Sequence, residues 1–398
     1  MERQDGPGAG LKLRIARLIA EFDGQGHHRT ATEVDHVSGT WLRDLLIGAG
    51  VDASVETYPF SRLVIGESYL AAGSERIDGL PAFDCGLTSG SGVTGRLGPI
   101  GSTAEIGFVV AAPGGASTEL DDARKNAAHA AIIHVTEAGR PGLAPRNATS
   151  FLDPFGPPVL QVSSEHRELI ERLSSAGVTA TVVASGTREP THASNVVAIV
   201  PGRSRSLPPL VVMTPRSGWW QCASERGGGL ACLVEIARAV AREPLSRDLL
   251  FVASTGHELG HWGLEQYLAT RERLATDAVL WVHFGASIGA ALSPKPFLFA
   301  SSRDLQNQAE QALRRAGSPP IALAPETAVP SGESKNVHER GGRYVSFLGG
   351  SAVFHLEEDR WPEAVDVGVV EAYLEGCLGF IRSLDASAAN TAAAAARD

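Results

Sequence analysis

The sequence predicts an α/β fold, with a mostly parallel central sheet covered by helices on both faces and interrupted by an inserted α+β module. Three observations predict it. From residue 195 onward, near-continuous apolar runs alternate with helical periodicity, as a buried parallel sheet requires. Over residues 62–189 glycine and serine become dense and the strand-like runs shorten. At 398 residues the chain is too long for one compact core and suggests about two domains.

Taken in order, residues 1–22 read as an amphipathic helix with Leu11, Leu13, Ile15, Leu18 and Ile19 on one face. A second helix runs through 41–46 and is stopped by Gly48 and Gly50. Residues 51–60 alternate like a strand. In the inserted module, strands are expected at 106–110, 131–135 and 159–162, with helices at 120–128 and 165–176. Ser163 and Ser164 cap the second of these, and Gly177 stops it. After the insertion, strands at 195–200, 210–213, 249–253, 279–283 and 344–348 alternate with helices at 229–242, 262–273, 304–316 and 363–383. The expected domains are 1–61 joined to 190–385, an insertion at 62–189, and an Ala-rich disordered tail at 386–398.

Composition excludes several functions. A net charge of −10 with no Lys/Arg run disfavours nucleic acid and anionic membrane surfaces as partners. Four scattered cysteines (Cys85, Cys222, Cys232, Cys377) with no CxxC spacing argue against a disulfide scaffold and a thiolate zinc site. No apolar run reaches the roughly 18 residues of a membrane span, and the N-terminus lacks the apolar core of a signal peptide. A cytoplasmic protein acting on a small molecule or peptide is expected; homo-oligomerisation is left open. The triple glycine 227–229 opens a helix without the Lys-Ser/Thr of a phosphate loop, so close backbone approach explains it better.

Four landmarks occur in order: Asn195-Val196-Val197-Ala198-Ile199-Val200-Pro201-Gly202, the helix at 229–238, Gly256-His257-Glu258-Leu259-Gly260, and Phe354-His355-Leu356-Glu357-Glu358-Asp359. On these residues the chain resembles the zinc aminopeptidases of phosphorylase-like α/β fold. That superfamily also includes glutaminyl cyclases and the metal-free transferrin receptor ectodomain. Residues 62–189 resemble a protease-associated domain. The resemblance implies a metal-dependent hydrolase of an amide or peptide bond, but most of the family's ligands are exchanged. Arg216 stands at the first ligand histidine, Gly218 at an aspartate, and Glu225 at the bridging aspartate. The family's Glu-Glu pair is His257-Glu258, and His283 replaces an aspartate. His355, with Asp359 after it, keeps the last ligand position, and Ser334-Lys335 replaces an Asp-His pair.

Arginine cannot ligate, so the half-site of Arg216, Glu225 and His283 is expected to hold no cation. Glu225, Glu258 and His355 would then hold one zinc, with His283 nearby. His257 would act as acid/base. Arg216 would bind a substrate carboxylate or an oxyanion, and Trp219 and Trp220 would line the pocket. The alternatives are a catalytically degenerate binding protein in which Arg216 salt-bridges the carboxylates, or a cyclase or lyase on the same scaffold. His257-Glu258-Leu259-Gly260-His261 spells HExxH, but Gly256, Gly260 and Gly263 disfavour the helix which that zinc motif needs.

Overall fold

The computed structural model describes residues 7–113, 118–204 and 206–395. Helix α1 (Pro7–Asp23) buries Ile15, Leu18, Ile19 and Phe22, while Leu13 stays exposed. Helix α2 (Glu33–Gly48) begins where Thr32 Oγ1 accepts the Asp35 N–H, and Gly50 follows it in the left-handed region. Strand β1 (Asp52–Ala72) runs far past the expected 51–60. The inserted region holds β2 (Glu75–Asp78), β3 (Leu80–Pro81), β4 (Val93–Pro99), β5 (Ile106–Ala111), α3 (Thr118–Asn126), β6 (Ala131–Thr136), β7 (Val159–Ser163) and α4 (Arg167–Ser175). Strand β8 (Thr179–Val200) returns from it.

The remainder alternates: β9 (Leu210–Pro215), α5 (Gly228–Arg242), β10 (Leu249–Ser254), α6 (Trp262–Ala269), α7 (Leu274–Asp277) and β11 (Leu280–Phe284). It continues with β12 (Lys295–Ala300), α8 (Arg303–Arg315), β13 (Ala322–Leu323), α9 (Ser334–Glu339), β14 (Tyr344–Gly350) and α10 (Val367–Ala395). The helix expected at 262–273 is broken after Ala269, where Thr270 Oγ1 donates to the Tyr267 carbonyl and Arg271 reaches across to Glu56 on β1. Helix α10 starts later than expected because Asp366 Oδ1 accepts the N–H groups of Gly368 and Val369. It continues to Ala395, so 386–395 of the expected tail is helical, and 396–398 lies outside the described residues.

The central sheet is parallel in its middle, β10-β9-β11-β14, and antiparallel at both flanks, where β8 pairs β10 and β12 pairs β14. Side chains alternate between the two faces. Leu210, Val212, Val282, Phe284, Val345 and Phe347 face α1, α2, α5, α8 and α10. Val211, Met213, Val252, Trp281 and Tyr344 face α6, α7 and α9. The triple glycine is packing: a Cβ on Gly229 would lie 2.5 Å from Thr214 Oγ1, and one on Gly228 would collide with the Ile288 carbonyl.

The expected boundaries at 61/62 and 189/190 fall inside an unbroken antiparallel ribbon, in which Arg62 pairs with Glu189 and Ser61 with Pro190. β4 joins β8 further out, so one sheet runs from the central layer into the inserted region. A separate core forms in this part of the chain, around Ile106, Ile133, Leu160 and Val182. Among the described residues no helix is long and apolar enough to cross a membrane.

After α1 the chain crosses the sheet end through His28, which is fully buried, stacks on Phe22 at 3.7 Å and hydrogen-bonds the Phe22 carbonyl at 3.0 Å. Burial pushes the His28 imidazole down to about 3. A base depressed in the folded state binds fewer protons than the unfolded chain, so its neutral burial is free of penalty above about 6.5 and stability is lost as pH falls toward about 3. Urea unfolding from pH 7 to pH 4 is therefore expected to show a shallower loss of stability for His28→Gln than for the parent; equal slopes would contradict this.

Candidate active site

In open α/β sheets, ligands bind beyond the carboxyl ends of the parallel strands. Here β11 and the segments leaving β10, β11 and β14 meet a pocket of about 580 Å³, whose lining includes His257, His261, His283, Gly332 and His355. Arg146, Asn147 and Thr149 of the inserted region close one side, and exposed Lys335 stands at the rim. The strap after α1 ties the segments leaving β9 and β10 to each other. His28 N–H donates to the Trp220 carbonyl at 2.9 Å, Gly218 N–H donates to the His28 carbonyl at 3.0 Å, and Thr30 N–H donates to Glu258 Oε1 at 2.7 Å.

The segment after β10 is a tight turn rather than a helix. His257–Leu259 makes one 3₁₀ turn between Gly256 and Gly260, both left-handed, and His261 is left-handed as well, with φ +60°. Successive side chains on such a turn point about 120° apart. His257 therefore enters the pocket and Glu258 leaves it. Glu258 is capped at Oε1 by Thr30 N–H and at Oε2 by the Ser217 hydroxyl, at 2.7 Å each. Burial raises its pKa despite these donors.

Two clusters face the pocket. In the first, His257 Nδ1 lies 2.9 Å from Glu333 Oε1, and His283 Nε2 lies 3.3 Å from Glu333 Oε2. His283 Nδ1 is held by Ser346 Oγ at 2.8 Å. The His257 and His261 rings are 5.2 Å apart, and one ligating atom each of His257, His261 and Glu333 falls within 4.8 Å of the others. Burial opposes ionisation of Glu333, but His257 and His261 outweigh it and hold the carboxyl well below its ordinary value. Burial lowers His257 to about 4 and also lowers His283, so both are neutral and able to ligate near pH 7.

In the second cluster, Glu225 and Arg226 sit on a single π-helical turn, Ala223–Gly227, just before α5, and His355 comes from the segment after β14. Arg226 Nη2 lies 2.6 Å from Glu225 Oε1, and His355 Nε2 lies 3.6 Å from the same oxygen. Burial opposes the Glu225 carboxylate, yet Arg226, His355 and His257 hold it below its ordinary value. Asp359 accepts the N–H groups of Ser224 and Glu225 and so shapes this turn, while burial raises its own pKa to about 7. His355 Nδ1 lies 2.7 Å from the Pro145 carbonyl, which makes Nδ1 the protonated nitrogen and leaves Nε2 as an acceptor.

Several expectations are corrected. Arg216 is not in the pocket. It is fully buried under the site, where Nη1 donates to Asp35 Oδ1 at 2.7 Å and Nη2 to the Ser194 carbonyl. Arg226, ten residues along, is the guanidinium beside the carboxylates. The set Glu225, Glu258 and His355 does not assemble, because Glu258 faces Thr30 and Ser217. Trp219 is buried against Phe83 with its Nε1–H on Asn147 Oδ1 at 3.0 Å, and Trp220 Nε1–H holds the His355 carbonyl at 2.8 Å. Both tryptophans support pocket residues instead of lining the pocket. Glu333 and His261 went unselected in the sequence. Their signals were the second histidine of HExxH and the acid beside Ser334-Lys335.

The donor atoms suit a divalent cation. His283 Nε2, Glu333 Oε2, His355 Nε2 and both Glu225 oxygens are buried without a hydrogen-bond partner, which is rare for polar atoms in a folded protein. An imidazole and carboxylate set is the donor chemistry of zinc. His257, His261 and Glu333, with His283 adjacent, are the residues that fit the ion.

Solved structures share this fold. A zinc aminopeptidase from Bacillus subtilis matches with a TM-score of 0.77 at 16% identity, covering 94% of this chain and 95% of its own. An aminopeptidase from Aneurinibacillus sp. strain AM-1 matches with a TM-score of 0.70 at 14% identity, covering 93% of each chain. A peptidase M28 precursor from Shewanella amazonensis SB2B matches with a TM-score of 0.71 at 15% identity, covering 94% of this chain and 95% of its own. The chain therefore has the zinc-exopeptidase fold. No protein-family model matches the sequence, and no curated protein does.

Because Arg216 balances Asp35 in a dry site, Arg216→Ala is expected to cost about 3–5 kcal/mol of stability by leaving a buried charge unpaired. Urea unfolding measures this, and a loss below about 1 kcal/mol would contradict the structural role.

Proposed function

We propose that the chain is a metal-dependent hydrolase that cleaves an amide or peptide bond of a small substrate, with one divalent ion, zinc by its donor set. The observation carrying this reading is that His283 and His355 line one pocket at the strand ends with unpartnered buried nitrogens, backed by unpartnered oxygens of Glu333 and Glu225 at 3.3 and 3.6 Å. The fold's solved examples, zinc aminopeptidases among them, support it.

His257, His261 and Glu333 would hold the ion, with His283 as a further donor. Zinc in such a set polarises a carbonyl and acidifies water. The chain's own residues then divide the remaining work. His355, with Nδ1 on the Pro145 carbonyl, offers Nε2 as proton acceptor. Glu225, 3.6 Å away and kept anionic by Arg226, stabilises the imidazolium that results. Arg226 places a fixed positive charge where a second cation would otherwise be needed. His257, expected as acid/base, is committed through Nδ1 to Glu333, so proton transfer falls to His355. We read residues 62–189 as a protease-associated-like module whose 146–149 segment narrows the pocket and restricts it to small substrates.

The purified chain is expected to carry about one zinc per molecule by plasma mass spectrometry and to hydrolyse aminoacyl anilides. Glu333→Ala is expected to lose both. His355→Ala is expected to keep the ion and lose about 10²–10⁴ in kcat. Absence of metal after zinc addition, with no hydrolysis, would remove this reading and favour a binding protein; undiminished hydrolysis by Glu333→Ala would remove this metal site from the reaction.

A further inference from the structure

A second cavity, of about 260 Å³, lies behind the turn that carries His257. Glu258 forms part of its wall, while His257 lines the metal pocket on the other side. Its apolar part is Phe60, Phe83, Phe151 and Leu259, each less than a tenth exposed, and Phe60 stacks on Phe151 at 5.4 Å. Its polar part is Arg29 and Arg62.

Both arginines carry a buried Nε with no hydrogen-bond partner. Two acids lie near, and neither meets that demand. Glu258 turns its oxygens to Thr30 and Ser217. Glu189 stands 3.8 Å from Arg62 Nη2, beyond hydrogen-bond reach, with its side chain 54% exposed. Arg62 otherwise donates only weakly, to the Ala31 carbonyl at 3.3 Å. The Arg62 side chain is 33% exposed, but its Nε, like that of Arg29, is removed from water without an acceptor, which is costly, and the planar carboxylate is the group that matches a guanidinium N–H fork.

We propose that this cavity binds a small monocarboxylate bearing an apolar, preferably aromatic, group, with the carboxylate between Arg29 and Arg62 and the apolar group against Phe60, Phe83 and Phe151. Size agrees: an apolar cavity of about 150 Å³ holds a benzene ring, which leaves room here for a short carboxylate arm. Charge agrees as well. A dianion such as phosphate would set its second charge close to buried Glu258, whereas a monoanion balances the arginines without it. The assignment is independent of metal at the other pocket.

3-Phenylpropionate is the probe. Calorimetric titration is expected to give one saturable site per chain, with a matching rise in melting temperature. Arg29→Met and Arg62→Met are each expected to weaken binding by at least about tenfold, the scale of one charge-assisted hydrogen bond. Arg29→Met removes no hydrogen bond within the fold, so an unchanged melting temperature without ligand is its control for folding. Glu333→Ala is expected to bind the probe unchanged, which separates this cavity from the metal pocket. No binding, equal binding of 3-phenylpropan-1-ol or inorganic phosphate, or binding lost in Glu333→Ala but kept in Arg29→Met would overturn the proposal.

Discussion

The buried pair between Asp35 and Arg216 is the constraint on which the site depends. Asp35 opens α2, accepts Ala31 N–H at 2.8 Å and the Thr255 hydroxyl at 3.2 Å, and takes Arg216 at 2.7 Å. One carboxylate thus joins the strap after α1, the end of β9 and the end of β10. Gly39 leaves room for this, since a Cβ there would stand 3.3 Å from Arg216 Nη2. Without that tie, neither Ser217 nor Thr30 would meet Glu258, and the turn that presents His257 would lose its anchor.

Above this layer, the chain handles buried negative charge in two ways. Glu258 and Asp359 are satisfied by N–H and O–H donors and serve as scaffolding. Glu225 is balanced by Arg226 and Glu333 meets His257 through Oε1, at distances or angles that leave Glu333 Oε2 and both Glu225 oxygens unbonded. Desolvated carboxylates persist only with compensation, so the unbonded atoms mark where an ion or substrate contributes. Arg226 sets a fixed positive charge beside one of the two clusters.

How far the sequence was legible can be judged from particular residues. Apolar runs such as 210–213 and 249–253 identified the central strands, because burial on both faces leaves a continuous hydrophobic signature. The antiparallel flank β12 carries Lys295 and Pro296 and gave no such signature. The resemblance gave His283 and His355 as ligand positions, and both line the pocket. Position along the chain gave the wrong arginine: Arg216 and Arg226 both lie in the segment between β9 and α5, and only the path of that segment decides which one meets Glu225.

By itself the sequence determined the order of strands and helices, the layered α/β class and the turn through 256–260. These follow from hydrophobic period and glycine placement, which act locally. The tertiary structure alone decided that Glu258 turns to Thr30, that Glu333 enters between His257 and His283, and that Arg226 replaces Arg216 beside the carboxylates. Each of these is a contact between residues far apart in the chain, such as Thr30 with Glu258 or His257 with Glu333. The direction in which a buried charge turns is set by the partners that the folded chain brings to it, and no local pattern encodes those.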